Sequence, residues 1–269
     1  MTGASRYRAM FDGLAARGEG AFVPFLVLGD PDPETSLELI RALVRGGADA
    51  LELGLPFSDP IADGPVIQAA ATRALAAGVR IADGWRILTE ARAEFPAIPI
   101  GLLVYANLVM HDGPEAFFRA AAAAGVDSVL VADAPILESG PLATAARSHG
   151  IAPVCIAPPN ADARRLAAIA EASQGYVYVT SRPGVTGADD TLRSESADLI
   201  RRLGRLGAAP AMLGFGIATP EHVRGALALG AAGAISGSAV VRHVEQHLPG
   251  PGLFEAVEQF TRRMKAATR

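Results

Sequence analysis

Short β-type runs alternate with Ala-, Leu-, Arg- and Glu-rich helical runs along the whole chain, and this alternation restricts the fold more than any other feature. Parallel strands need a crossover, usually a helix, so a repeated strand–helix unit implies an α/β protein with helices packed on a parallel sheet. Eight units can be placed. Their strands fall at Phe22–Leu28, Ala50–Leu55, Ile100–Tyr105, Ser128–Asp133, Ala152–Ile156, Tyr176–Ser181, Ala211–Phe215 and Gly233–Ser236. Helices follow after Pro33, Gly64, Gly113, Glu138, Asn160, Ser194, Thr219 and Ser238, several opened by a capping residue or a first-turn proline. One more helix near Ser5–Arg17 precedes the first strand, and an amphipathic one over Leu253–Ala267 follows the last. Eight units in about 250 residues fit a closed (β/α)8 barrel of the TIM type better than an open sheet. Since no linker or composition break divides them, residues 1–269 are expected to form a single barrel domain with an additional N-terminal helix and an extra C-terminal helix.

Composition narrows the chemistry. With 24 Lys and Arg against 28 Asp and Glu, the chain has no basic excess with which to neutralise a nucleic-acid backbone. The first residues carry no apolar stretch of the signal type, and no run of about 18 strongly apolar residues follows, so no membrane contact and a cytoplasmic location are expected. Cys155 is the single cysteine, which excludes an internal disulfide and fits a reducing compartment. Lys265, the single lysine, lies near the C-terminus, so a Schiff-base lysine at a barrel centre is not available.

A barrel of this type carries its function in the loops after its strands. In Ala50-Leu51-Glu52-Leu53-Gly54-Leu55, alternation puts the leucines on one face and Glu52 on the other. If the leucines pack under the helices, Glu52 points into the barrel, where desolvation raises its pKa towards neutrality and suits it to acid–base work. The competing reading is a structural ion pair, but the predicted strands contain no Lys or Arg to complete one. The following loop, Pro56 to Pro65, brings Asp59 and Asp63; either fits a turn or helix cap, and Asp63 also fits a second, wetter carboxylate above Glu52.

Other candidates are less specific. Gly214-Phe215-Gly216 and Ser236-Gly237-Ser238 end the last two strands, where free backbone N–H groups commonly bind phosphate; plain turn glycines are the alternative. Ser181 to Asp190 reads either as a mobile lid or as a long connection. Phe25, Tyr105, Tyr178 and Phe215 lie on or at the ends of strands, placed either to line a pocket for a flat apolar ligand or to fill the core. Asp133, before Ala134-Pro135, reads as a cap or a pocket group, with the structural reading favoured, and Cys155 as a small buried hydrophobe. His243 and His247 have metal-ligand spacing but no third ligand nearby, so they read as a solvated helix face and no metal is expected.

Taken together, these residues resemble the tryptophan synthase alpha subunit family. The matching strings are Phe22-Val23-Pro24-Phe25 with Gly29-Asp30-Pro31, Leu51-Glu52-Leu53-Gly54 running on through Pro56-Phe57-Ser58-Asp59-Pro60 to Ala62-Asp63-Gly64-Pro65, Tyr105-Ala106-Asn107, Val129-Leu130-Val131-Ala132-Asp133, Pro158-Pro159-Asn160-Ala161, Gly184-Val185-Thr186-Gly187, Gly214-Phe215-Gly216-Ile217 and Ala234-Ile235-Ser236-Gly237-Ser238-Ala239. They cover nearly the whole chain in order, and the run from Leu51 to Pro65 is the most specific. The resemblance implies retro-aldol cleavage of indole-3-glycerol phosphate to indole and glyceraldehyde 3-phosphate, with indole passed to a beta subunit in an alpha2beta2 assembly. No cofactor is implied for this chain; pyridoxal phosphate is expected only in the beta partner. By the same carry-over Glu52 is the acid/base and Asp63 accepts the indole N–H. Phe25, Leu103, Tyr178 and Phe215 match positions around the substrate, Gly187, Gly216, Gly237 and Ser238 hold the phosphate, Thr186 closes a lid, and the Pro56–Pro60 loop touches the partner. Pro183 and the acidic Ala188-Asp189-Asp190 depart from the family pattern at that lid.

Overall fold

The computed structural model describes residues 2–180 and 190–269. Nine parallel strands lie in one sheet: β1 (Ala21–Val27), β2 (Leu51–Gly54), β3 (Ile100–Val104), β4 (Ser128–Val131), β5 (Ala152–Pro153), β6 (Ile156–Ala157), β7 (Val177–Thr180), β8 (Ala211–Gly214) and β9 (Gly233–Ser236). Their order is β5-β4-β3-β2-β1-β9-β8-β7-β6. The end strands β5 and β6 are the two halves of one broken strand, so the sheet is a (β/α)8 barrel closing on itself at residues 152–157.

That break corrects the expectation of a continuous strand over Ala152–Ile156. Pro153 has no N–H to give to a ladder. Beyond it the chain changes partners: Val154 donates its N–H to the carbonyl of Val129 at 3.0 Å, and the carbonyl of Cys155 accepts from Tyr178 at 3.0 Å. Two connections are also richer than expected. Between β2 and β3 the chain forms two helices, Pro65–Ala76 and Ile81–Glu94, and between β3 and β4 a short Ala106–His111 precedes Pro114–Ala123. Gly78, at φ +83°, turns the chain out of the first of these helices, and the Asp83 carboxylate accepts the Arg80 N–H at the start of the next. The helix expected after Ser194 begins earlier, at Asp190.

Strand alternation divides the apolar residues into two layers. Phe22, Leu26, Leu51, Leu53 and Leu102 face the surrounding helices, whereas Ala21, Val23, Ala50, Leu130, Met212 and Ile235 fill the barrel interior. The N-terminal helix, Gly3–Ala16, closes the bottom of that interior with Tyr7, Met10, Phe11 and Leu14, which recur at helical spacing on one face. Tyr7 enters far enough for its hydroxyl to hydrogen-bond Ser128 Oγ at 2.9 Å. Gly101 makes this possible, because a Cβ there would lie 3.1 Å from that hydroxyl.

Charges close the same end. The Asp127 carboxylate, almost fully buried, pairs with Arg6 and Arg92 at 2.5 Å each and accepts the Ile100 N–H at 2.9 Å. Lys265, on the C-terminal helix Leu253–Ala266, pairs with Asp49 at 2.9 Å and Glu19 at 3.2 Å. The single lysine is therefore a bracket at the barrel bottom, far in role from any Schiff base. Among the described residues, no helix is long and apolar enough to cross a membrane.

Removing one member of a buried ion cluster strands the others in low dielectric. Asp127→Ala is therefore expected to lower unfolding stability by about 3–5 kcal/mol in a urea titration. A loss below about 1 kcal/mol, the range of surface pairs, would show that the cluster is not buried in this sense.

Candidate active site

The loops after the strands enclose a cavity of about 220 Å³ at the top of the barrel. Nine of the residues singled out in the sequence line it together: Phe25, Glu52, Asp63, Leu103, Tyr178, Phe215, Gly216, Gly237 and Ser238. Thr186 and Gly187, with Pro183 and Ala188-Asp189, lie outside the described residues.

Glu52 sits on β2 between Phe25 of β1 and Gly101 of β3 in register, its side chain inside the barrel as the alternation requires. The residue is 2% exposed, and among the described residues no cation pairs with it. Its partner is Tyr176, whose hydroxyl donates to Glu52 Oε1 at 2.7 Å. Burial drives the carboxyl from its ordinary 4.5 up to about 7, while the Tyr176 hydrogen bond pulls the other way by favouring the ionised form. Tyr176 was not singled out in the sequence, although its alternation with Tyr178 and Thr180 places all three on the interior face.

Asp63 lies in the loop after β2, half-buried at the cavity wall. Tyr105, at the end of β3, donates its hydroxyl to Asp63 Oδ2 at 2.9 Å and accepts the Ala62 N–H at 3.1 Å. Phe57 stacks on the Tyr105 ring with centroids 5.2 Å apart, so the loop is held to β3 by an aromatic pair as well as by hydrogen bonds. Tyr105 is thus a support for Asp63. Burial raises the Asp63 carboxyl too, with the Tyr105 bond opposing, but this acid is the wetter of the two.

Two glycine turns face these acids. Phe215 takes φ +85°, a left-handed backbone rarely adopted by a bulky residue, and Gly216 follows at φ +77°. The strain is concentrated at the cavity rim, where it orients the backbone. Gly237 caps the helix Ser238–His247, whose first N–H groups have no intrahelical acceptors and are open to an anion. The buried Ser236 hydroxyl donates to the Ile217 carbonyl at 2.7 Å and ties the two turns together. Gly214 leaves room for the Tyr178 ring, which a Cβ there would strike.

The remaining candidates have structural places. Asp133 accepts the Ala106 N–H at 2.7 Å at the start of the short helix, a cap. His243 and His247 are half-buried rather than solvated, because the His243 ring packs on Phe260 with centroids 4.4 Å apart. Among the described residues, no cluster of His, Cys, Asp or Glu could hold a metal ion. Cys155 is half-buried and faces a different cavity.

A desolvated acid on an inner strand, a second acid above it and two anion-ready turns on the last strands meet in one pocket. The family model described as tryptophan synthase alpha chain matches residues 11–269. The chain belongs to the tryptophan synthase alpha chain family. It is 55% identical over 266 residues to the tryptophan synthase alpha chain of Shewanella oneidensis, covering 98% of this chain and 96% of that one. Against that of Edwardsiella ictaluri the identity is 54%, covering 98% and 99%. Among solved structures, the alpha subunit of Legionella pneumophila superposes with a TM-score of 0.88 at 29% identity over 100% of this chain and 98% of that one. A chain of the Pyrococcus furiosus tryptophan synthase alpha2beta2 complex does so at 0.83 and 35% identity, covering 92% and 98%.

The Glu52 environment has a stability consequence. The folded state holds this proton to about pH 7 and the unfolded chain loses it near 4.5, so stability falls as pH rises between those values. Glu52→Gln is therefore expected to be more stable than the parent at pH 8 by on the order of 3 kcal/mol, and nearly equal to it at pH 4. Equal denaturant midpoints at both pH values would contradict the burial of an unpaired carboxyl.

Proposed function

We propose that residues 1–269 form one catalytic domain that cleaves indole-3-glycerol phosphate to indole and glyceraldehyde 3-phosphate, and that the indole passes to a beta subunit. The observation that carries this reading is the pairing, in one mainly apolar cavity, of Glu52 with a carboxyl near neutrality and Asp63 at the wall.

Cleaving the C–C bond requires a place for its electrons. The sole lysine is engaged with Asp49 and Glu19 at the other end of the barrel, so an imine on the chain is not the sink. The indole ring serves instead. Protonated Glu52 delivers its proton to ring carbon C3, giving an indoleninium whose C=N can accept an electron pair. Asp63, ionised, accepts the ring N–H hydrogen bond and stabilises the positive charge that develops there. The Glu52 carboxylate then takes the hydroxyl proton from the side-chain carbon bonded to the ring. The C–O becomes an aldehyde carbonyl, the C–C bond breaks, and its electrons flow into the ring to restore indole. Glu52 ends as it began, protonated.

The other residues position the substrate. Phe25, Leu103, Tyr178 and Phe215 enclose the flat ring, while the N–H groups around Gly216, Gly237 and Ser238 take the phosphate at the usual barrel position. Gly187 completes the phosphate site and Thr186 the lid in this reading. The loop that carries Asp63 also bears Ile61, 80% exposed next to Pro60, a surface suited to the beta subunit in an alpha2beta2 assembly. Pyridoxal phosphate belongs to that partner, no cofactor is assigned to this chain, and the pair works in the cytoplasm.

Release of glyceraldehyde 3-phosphate from indole-3-glycerol phosphate, with and without a beta subunit, tests the proposal. Slow cleavage alone and strong stimulation by the partner are expected, with Glu52→Gln and Asp63→Asn each losing roughly 10²–10⁴-fold. Full activity without a partner would point to a free-standing lyase, and no cleavage in either setting would overturn the reading.

A further inference from the structure

A second cavity, about 320 Å³, lies outside the barrel wall, between β4, β5 and β6 and the helices Pro114–Ala123, Gly140–Ser148 and Ala163–Ala172. It lies beside the break in the fifth strand. β5 pairs only with β4 and β6 only with β7, so no ladder joins the end of β4 to Ile156. Ala132 and Ile156, at that gap, line both this cavity and the catalytic one.

Its walls define what it can hold. Phe118, Val129, Leu142, Val154 and Ile169 make the floor apolar. The Ser139 hydroxyl donates its proton to the Ile136 carbonyl at 2.9 Å, so it has no donor left for a guest. An apolar floor under a rim open to solvent favours an amphipathic guest, and an enclosed apolar pocket of about 150 Å³ already holds benzene. Twice that volume accommodates a fused two-ring system. The rim adds a charge: Arg165 is exposed, and among the described residues its guanidinium is in no ion pair. Guanidinium forks favour a carboxylate or similar planar anion.

We propose that this lateral cavity is a binding site for a small bicyclic aromatic carboxylate, its rings against Phe118, Val129 and Ile169 and its anionic group on Arg165. The site is separate from the catalytic residues and independent of the reaction assigned to them.

Cys155 supplies the reporter, since it lines the cavity and is the only thiol in the chain. The full chain would be treated with methyl methanethiosulfonate at alkaline pH and the modification rate followed by mass, with and without 2-naphthoate. At ten times its Kd, 2-naphthoate is expected to slow modification about tenfold, by simple occupancy. The neutral 2-naphthamide should protect more weakly, and Arg165→Ala, an exposed substitution, should abolish the difference between the two. Ala143→Phe, which fills the cavity, should remove protection by both. Lack of protection at the solubility limit would overturn the proposal, as would protection that persists unchanged in both Arg165→Ala and Ala143→Phe.

Discussion

The structure turns on one unpaired carboxyl inside the barrel. Glu52 has exchanged water for apolar walls and a single tyrosine hydroxyl, and that exchange holds its proton to about pH 7. An arginine in place of Tyr176 would have fixed the carboxylate in its charged form and ended its use as an acid. A wall without any donor would have pushed the proton affinity higher still. The tyrosine sets an intermediate value, where the group can both give and take a proton near neutral pH.

Keeping such a group buried and without a cation costs stability, whereas at the opposite end of the barrel the buried carboxylates have cation partners. There the charges are matched: Asp127 with Arg6 and Arg92, and Lys265 with Asp49 and Glu19. The Tyr7 hydroxyl on Ser128 and the tilted contact between the rings of Tyr7 and Tyr176, 5.4 Å apart, link that rigid base to the partner of Glu52. The N-terminal helix thus supports the tyrosine on which the acid depends. At the other end Phe215 holds a left-handed conformation at the cavity rim, and the Ser236 hydroxyl binds the two glycine turns to each other.

The barrel was legible in the sequence because alternation is a strong signal. It placed the leucines of β2 outward and Glu52 inward, while the glycine turns at the ends of β8 and β9 were readable from Gly214-Phe215-Gly216 and Ser236-Gly237-Ser238 themselves. The broken fifth strand was not, because Val154 and Cys155 look like ordinary strand residues and the change of pairing partner is a tertiary event. The second helix before β3 was missed because its start depends on Gly78 taking a positive φ, which only the assembled turn reveals. Tyr105 reads in the sequence as wall or core and Tyr176 carries no signal of its own there, since a long-range hydroxyl–carboxylate bond across more than a hundred residues, or across forty, leaves no local pattern. His243 was read as solvated because the facing Phe260 comes from another helix.

The pH dependence of kcat/KM for cleavage by the isolated chain tests the acid role of Glu52 most directly. In the free enzyme the required acid should be lost as pH rises through about 7, giving a basic limb there. Tyr176→Phe removes the bond that favours the carboxylate, so the proton should be held longer and that limb should move to higher pH. A basic limb that stays in place in Tyr176→Phe, or moves to lower pH, would contradict the account.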